Sequence, residues 1–103
     1  MEYRRLTASD LPPLLDLYKQ LDADDDVCPK DQSEEAWKEI EANAYIQYFG
    51  AIDDGKVVST CYAVYIPNIT RGNRGICFIE NVVTDKEYRR LGLASRVIDM
   101  RLV

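Results

Sequence analysis

The sequence has 103 residues, of which 47% are hydrophobic and 30% charged, and its formal net charge is -5 at pH 7. This length supports one domain with one modest core, and the composition is that of an ordinary globular protein rather than a disordered one. The acidic balance argues against a general nucleic-acid binder, which needs a basic surface to neutralise phosphates. No uncharged run is long enough to cross a membrane, and the N-terminus leads into no apolar signal core, so the sequence predicts a cytoplasmic protein.

Cysteine and histidine usage argues against a metal centre. The chain has three cysteines, Cys28, Cys61 and Cys77, in no C-x-x-C spacing, and no histidine. A zinc site would have too few ligands, and we predict no metal and three reduced thiols. A bridge between Cys61 and Cys77 under oxidising conditions is the alternative, because the two lie on strands that we expect to be neighbours.

The N-terminal part predicts a strand followed by a helix. Residues 2–6 are short and mixed, which is consistent with a first strand. Thr7 and Asp10 then form a capping-box pattern ahead of apolar residues at helical spacing, which predicts a first helix to about Leu21. Pro12 and Pro13 are tolerated because they lie in the first turn, where their missing amides would be unpaired anyway.

An acidic stretch and a second helix follow. The stretch ends near Pro29 and contains Asp22, Asp24, Asp25 and Asp26. It favours a solvated loop; attraction of an amine or a divalent metal is the alternative, but the spacing lacks the glycine and the closing glutamate of a calcium loop.

The second helix is predicted over residues 33–43, with Ser33 as its cap. Glu34 would pair with Lys38 across one turn of this helix. The residues predicted to face inward are Trp37, Ile40 and Ala44.

Three strands and a last helix complete the pattern. Residues 45–52 and 57–66 are rich in aromatic and β-branched residues and flank the turn sequence Asp53-Asp54-Gly55-Lys56, which predicts an antiparallel hairpin. An exposed loop over 68–75 leads to an apolar strand over 76–83, and helical spacing begins after Gly92. The predicted fold class is α+β, with antiparallel strands 1 to 4 and three helices.

The junction between the last strand and the last helix carries the strongest functional signal. Its sequence is Arg89-Arg90-Leu91-Gly92-Leu93-Ala94, with two cations followed by small residues where the helix begins. The first amides of a helix have no intrahelical acceptor and carry partial positive charge, so this junction predicts an anion site that suits a pyrophosphate. A plain strand-to-helix turn with surface arginines is the alternative.

This junction resembles the signature of the GNAT (GCN5-related N-acetyltransferase) family, which has glutamine or arginine, two residues, glycine, one residue, then glycine or alanine. The preceding Asn81-Val82-Val83-Thr84-Asp85 and the intervening Glu87-Tyr88 are also similar to the family. The resemblance implies a GNAT-like mixed sheet and transfer of an acetyl group from acetyl-CoA to an amine. The acceptor would be a small-molecule or peptide amine.

The resemblance also implies the site residues. Amides of Leu91, Gly92, Leu93, Ala94 and Ser95 would hold the coenzyme pyrophosphate, aided by Arg89 and Arg90. Backbone groups of Val82 and Val83 would bind the pantetheine arm like an added strand.

Glu80, nine residues before Arg89, resembles the glutamate that deprotonates the acceptor amine. Burial on an apolar strand would suit a base, because it pushes a carboxyl pKa upward. The alternative is that Glu80 faces solvent or pairs with a nearby arginine. Tyr48, Tyr62 and Tyr65 could line the substrate or act as acids, but strand tyrosines more often serve packing.

The resemblance covers the chain in order but ends early. Family members continue with a fifth strand, a helix and a final hairpin, so residues 1–103 are expected to be a single truncated domain that is an artificially shortened chain, a natural fragment or a chain completed by a partner. A bare edge on the fourth strand predicts pairing with a second copy, and therefore a homodimer. The alternative function is a non-catalytic module that keeps acetyl-CoA binding or only dimerises.

Overall fold

An antiparallel sheet of four strands forms the centre of the protein. The computed structural model describes residues 1–20 and 30–100. The strands are β1 (Glu2–Arg5), β2 (Ile46–Asp53), β3 (Lys56–Ile66) and β4 (Ile76–Thr84), and they lie in the order β1-β2-β3-β4. Each pairs antiparallel with the next along the chain. A tight turn joins β2 to β3 and a short segment joins β3 to β4, whereas the two helices α1 and α2 lie between β1 and β2.

Helices cover both faces of this sheet. They are α1 (Leu11–Tyr18), α2 (Lys30–Ala42), the single turn α3 (Thr70–Asn73) and α4 (Leu93–Met100), with 3₁₀ turns at Ala8–Asp10 and Lys86–Tyr88. The predicted α+β class, with antiparallel strands 1 to 4 and three longer helices, is confirmed. No helix among residues 1–20 and 30–100 is long and apolar enough to cross a membrane.

The core is divided between the two faces. One cluster lies between the sheet and helices α1 and α2, and it includes Leu6, Leu11, Leu14, Leu17, Trp37, Val57 and Val83. The other lies between the sheet and α4, and it includes Phe49, Ala51, Val58, Cys61, Ala63, Leu93 and Val97. Strand β4 contributes to both clusters, so its position relative to α1 and α4 is fixed from both sides.

A partly buried ion pair between Arg4 and Asp10 fixes the start of α1 against β1. The Arg4 guanidinium donates two hydrogen bonds to Asp10, at 2.6 and 2.7 Å, and the Thr7 backbone amide donates a third at 2.8 Å. The predicted pairing of Thr7 with Asp10 is therefore present. The Arg4 hydrogen bonds lower the pKa of the buried Asp10 carboxyl below its usual value.

The second helix departs from its prediction at both ends. It begins at Lys30, so Ser33 lies inside the first turn and is not the cap. Lys38 pairs with Glu35 at 3.4 Å, three residues away, rather than with Glu34. Trp37 is buried and Ile40 half-buried as predicted, but Ala44 lies beyond the helix and is exposed. The first helix ends at Tyr18, about one turn before the predicted Leu21, and Lys19 is its C-cap. The predicted acidic loop falls outside the described residues.

The segment before β4 is more ordered than an open loop. It contains the single turn α3, and Gly75 lies directly under the ring of Tyr65, where any Cβ would collide with the ring. A larger residue at this position would therefore require the exposed Tyr65 ring to move.

The two described cysteines cannot be bridged. Cys77 is the register partner of Tyr65, and Cys61 lies four residues before Tyr65 on β3. Four strand residues correspond to roughly 13 Å, beyond the ~7 Å Cα separation that a disulfide tolerates. The alternative of a Cys61–Cys77 bridge is therefore wrong.

We expect Arg4→Met to lower the free energy of unfolding by about 1–3 kcal/mol, because it leaves the Asp10 carboxylate buried without its cation. Arg5→Met is the matched control, since Arg5 is exposed on the same strand. Urea unfolding at pH 7 measures both.

The effect of Arg4→Met should depend on pH. Because the folded-state pKa of Asp10 is lowered, the stabilisation is present above the unfolded pKa of about 4 and is lost as the pH falls through the folded value. A difference between the variant and the wild type that is the same at pH 7 and pH 3 would contradict this assignment.

Candidate active site at the junction of β4 and α4

A β-bulge interrupts β4 ahead of the junction. Glu80 is the register partner of Tyr62, and Val83 that of Thr60, so three steps on β4 oppose two on β3. Asn81 adopts a left-handed φ of 49°, which asparagine tolerates better than most residues. The bulge leaves Asn81 and Val82 exposed and without register partners, while Val83 returns to the core at 6% exposure.

Sequence reasoning missed this bulge. The only local signal was an asparagine inside an otherwise β-branched run. Because of the bulge, Glu80 and Val83 face the same side of the sheet. In a regular strand, residues three positions apart face opposite sides.

Backbone hydrogen bonds fold the segment after β4 back onto the sheet. The Asp85 amide donates to the Val58 carbonyl at 2.8 Å, and the Tyr88 amide donates to the Asp85 carbonyl at 2.8 Å. The Asp85 side chain accepts from the Glu87 amide at 2.9 Å. These bonds fix the position of the chain just before the two arginines.

The predicted anion-binding residues lie at the end of this segment. Arg89 and Arg90 are both exposed, and the Arg89 Nε donates to the Thr84 carbonyl at 3.3 Å. Arg90 has a φ of 68° and Gly92 a φ of 74°. No atom lies within 4 Å of where a Cβ on Gly92 would be, so the backbone here is open to close approach.

The Leu93 side chain anchors the start of α4 in the core, while the first backbone amides of the helix have no side-chain acceptor among the described residues. The Leu93 side chain is buried at 5% exposure in the cluster that includes Val97, whereas Ser95 is exposed. In the part of the chain that the structure describes, no side chain hydrogen-bonds the amides of Leu93, Ala94 or Ser95. The predicted coenzyme residues from Arg89 to Ser95 therefore present open amides and cations together, and this fits a pyrophosphate.

Glu80 is exposed rather than buried. The alternative of a solvent-facing carboxylate is therefore the one observed. Among residues 1–20 and 30–100, no arginine or lysine forms an ion pair with Glu80.

Aromatic side chains lie beside Glu80 on the same face of the sheet. Tyr62 stacks on Tyr48 with ring centroids 4.8 Å apart, and Trp37 meets the edge of Tyr48 at 5.3 Å. Burial raises the pKa of Tyr48 to about 12. Both features support packing as the main role of Tyr48, and Tyr65 lies on the opposite face with Cys77.

The hydroxyl of Tyr18, at the end of α1, lies within this aromatic group. Burial raises the pKa of this hydroxyl, and Tyr48 and Tyr62 add to the rise. The Asn81 side chain offsets a smaller part of it. Among residues 1–20 and 30–100, no group lies in hydrogen-bond geometry with this buried hydroxyl. Helix α1 and the bulge of β4 are therefore in contact at the point where Glu80 emerges.

Comparisons with known proteins agree with this geometry. A model of the acetyltransferase (GNAT) family matches residues 11–101. A solved structure of an Agrobacterium tumefaciens str. C58 protein assigned as an acetyltransferase is 31% identical, with a TM-score of 0.91; the match covers 99% of this chain and 71% of that one. This chain belongs to the GNAT acetyltransferase family.

Other GNAT structures are more distant. A Trypanosoma brucei acetyltransferase is 29% identical with a TM-score of 0.78, over 96% of this chain and 70% of that chain. The aminoglycoside N-acetyltransferase AAC(6')-Iy, solved in complex with CoA, is 22% identical with a TM-score of 0.76, over 96% of this chain and 64% of that chain. At 22% identity the likeness shows the fold alone. No curated protein gives a match to the sequence.

A side-chain bond that the sequence did not reveal holds the GNAT signature segment in place. The Tyr88 hydroxyl donates to Asp53 at 2.8 Å, and this joins the segment before Arg89 to the turn between β2 and β3. This hydrogen bond raises the pKa of Tyr88. The two residues are 35 positions apart, and no local pattern connects them.

We expect Tyr88→Phe to loosen the segment from Lys86 to Gly92 without unfolding the protein. Loss of one hydrogen bond should increase amide hydrogen exchange in this segment by roughly three- to tenfold. Tyr45→Phe is the matched control, because Tyr45 is exposed and lies far from the segment. Equal exchange in the wild type and in Tyr88→Phe, measured by mass spectrometry, would show that the bond does not hold the segment.

Proposed function

We propose that the protein is an N-acetyltransferase that moves the acetyl group of acetyl-CoA to a primary amine by direct attack. The observation that carries this proposal is the open start of α4, where uncapped amides, Gly92 and two exposed arginines lie together at the end of β4. Family membership supports acetyl transfer in general.

The signature segment would hold the coenzyme pyrophosphate. Amides from Leu91 to Ser95 would donate to phosphate oxygens, and the macrodipole of α4 would favour their negative charge. Arg89 and Arg90 would add charge-assisted bonds from exposed positions. CoA bound to AAC(6')-Iy supports the same ligand here.

The free side of β4 would hold the pantetheine arm. Strand β4 pairs with β3, and no strand among the described residues pairs with its other side. Backbone groups of Val82 and Val83 would bind amides of the arm as a neighbouring strand does. An amide in this segment would also polarise the thioester carbonyl and stabilise the oxyanion.

Glu80 would act as the base, directly or through water. An alkylammonium with a pKa of about 10 must lose its proton before its nitrogen can attack. Glu80 takes this proton, the neutral nitrogen forms a bond to the carbonyl carbon, and the bond between that carbon and sulfur breaks to release a thiolate. The attacking nitrogen then loses its second proton, which neutralises the thiolate. The products are an N-acetyl amine and the coenzyme thiol.

We also propose that the chain is a cytoplasmic homodimer. The support is the free edge of β4 on the side of Ile76 to Ile79, where backbone groups could pair with a second copy. Light scattering that gives only a mass of 11.8 kDa at micromolar concentration would contradict the dimer.

Coenzyme binding gives one test of this proposal. Acetyl-CoA should raise the melting temperature of the wild type, and Arg90→Glu should weaken its binding by about tenfold or more because a cation beside the phosphates becomes an anion. Arg74→Glu is the matched control, since Arg74 is an exposed arginine in the segment before β4. If acetyl-CoA gives no stabilisation at all, both the acetyltransferase and the binding-only alternative are wrong.

The second prediction concerns Glu80. Glu80→Gln should keep acetyl-CoA binding and reduce amine-dependent thiol release by about a hundredfold, because the base is lost. Glu39→Gln is the control, since Glu39 is exposed on α2. A variant with wild-type rates at every pH removes Glu80 from the mechanism, and binding without turnover in the wild type favours the non-catalytic alternative.

A further inference from the structure

On the face of the sheet that carries α1 and α2, the described residues leave an apolar surface exposed. It comprises two rows of register partners, Ile46–Val64–Phe78 and Ile66–Ile76. We call these five residues the apolar floor. Ile66, Ile76 and Phe78 are 43%, 45% and 47% exposed, and Ile46 and Val64 are half-buried. An exposed apolar patch of this kind marks a binding surface more often than an accident of folding.

The floor ends in a carboxylate. The next row of register partners is Tyr48–Tyr62–Glu80, so Glu80 and Phe78 project from the same face of β4. With ~3.3 Å per strand residue, Phe78 lies roughly 7 Å from Glu80 along the strand and Ile76 roughly 13 Å. A ligand cation at Glu80 can therefore place an apolar body of about that length on the floor.

We propose that the apolar floor binds the body of the acetyl acceptor and that the acceptor is a small arylalkylamine. This inference rests on the proposed acetyl transfer and names its substrate class. The Glu80 carboxylate, which no described cation pairs with, attracts the ammonium.

The chemistry of the floor selects against polyhydroxylated amines. Ile46, Val64, Ile66, Ile76 and Phe78 have no polar side-chain atom, so sugar hydroxyls pressed against them would lose water without gaining a partner. An aryl ring gains apolar burial against the same residues.

The test compares two primary amines in acetyl-CoA-dependent thiol release by the full chain. 2-Phenylethylamine should exceed glucosamine in kcat/KM by about a hundredfold, a ratio typical of discrimination by apolar contact. Phe78→Gln should raise the KM for 2-phenylethylamine by about tenfold with kcat nearly unchanged, since the floor binds the body and not the reacting nitrogen. Ile69→Gln is the matched control, because Ile69 is 89% exposed and lies off the floor.

A binding measurement without acetyl-CoA separates this inference from the proposed reaction. Titration followed by NMR should show that 2-phenylethylamine shifts the Phe78 resonances more strongly than 2-phenylethanol, its uncharged match. Glucosamine should leave the Phe78 resonances unshifted. If acetyl-CoA fails to bind, the reaction is wrong while this titration still tests the floor.

Three results would overturn the arylalkylamine assignment with acetyl transfer intact. The first is that glucosamine is turned over as fast as 2-phenylethylamine, and the second is that Phe78→Gln leaves the KM for 2-phenylethylamine unchanged. The third is that the wild type is a dimer and Phe78→Gln is a monomer, which would show that a second copy covers the floor.

Discussion

The extra residue in β4 is the constraint on which the site depends. Strand alternation would place Glu80 and Val83 on opposite faces of the sheet. The left-handed turn at Asn81 puts both on the face of α1, so Val83 completes the core while Glu80 remains open to a ligand. A single backbone irregularity thus combines a structural anchor and a candidate functional carboxylate within four residues.

The segment between β4 and α4 is held from both ends and is open between them. Val83 is buried before it and Leu93 after it, in different core clusters. Between these anchors the chain is fixed by backbone bonds to Val58 and Asp85 and by the bond from Tyr88 to Asp53. The arginines and the first amides of α4 are therefore held without being covered, as an anion site requires.

Periodic patterns in the sequence were enough to predict most of the fold. The strands and the long helices follow from alternation and helical spacing, which are local properties, and the glycine and arginine pattern marked the junction at α4. The pairs Arg4–Asp10 and Tyr88–Asp53, and the register shift at Asn81, depend on neighbours that only the folded sheet supplies. The sequence left open whether Glu80 is buried or faces solvent for the same reason, because its exposure depends on which residues cover β4.

Arg90 occupies a backbone conformation that suits glycine better. Its φ of 68° costs an L-residue roughly 1 kcal/mol relative to glycine. A laboratory selection for heat tolerance alone would therefore favour glycine at this position, at the loss of a cation beside the start of α4. Selection for thermal stability would therefore favour glycine at position 90, and selection for ligand binding would favour arginine. The residue found there in a heat-selected library shows which of the two was selected more strongly.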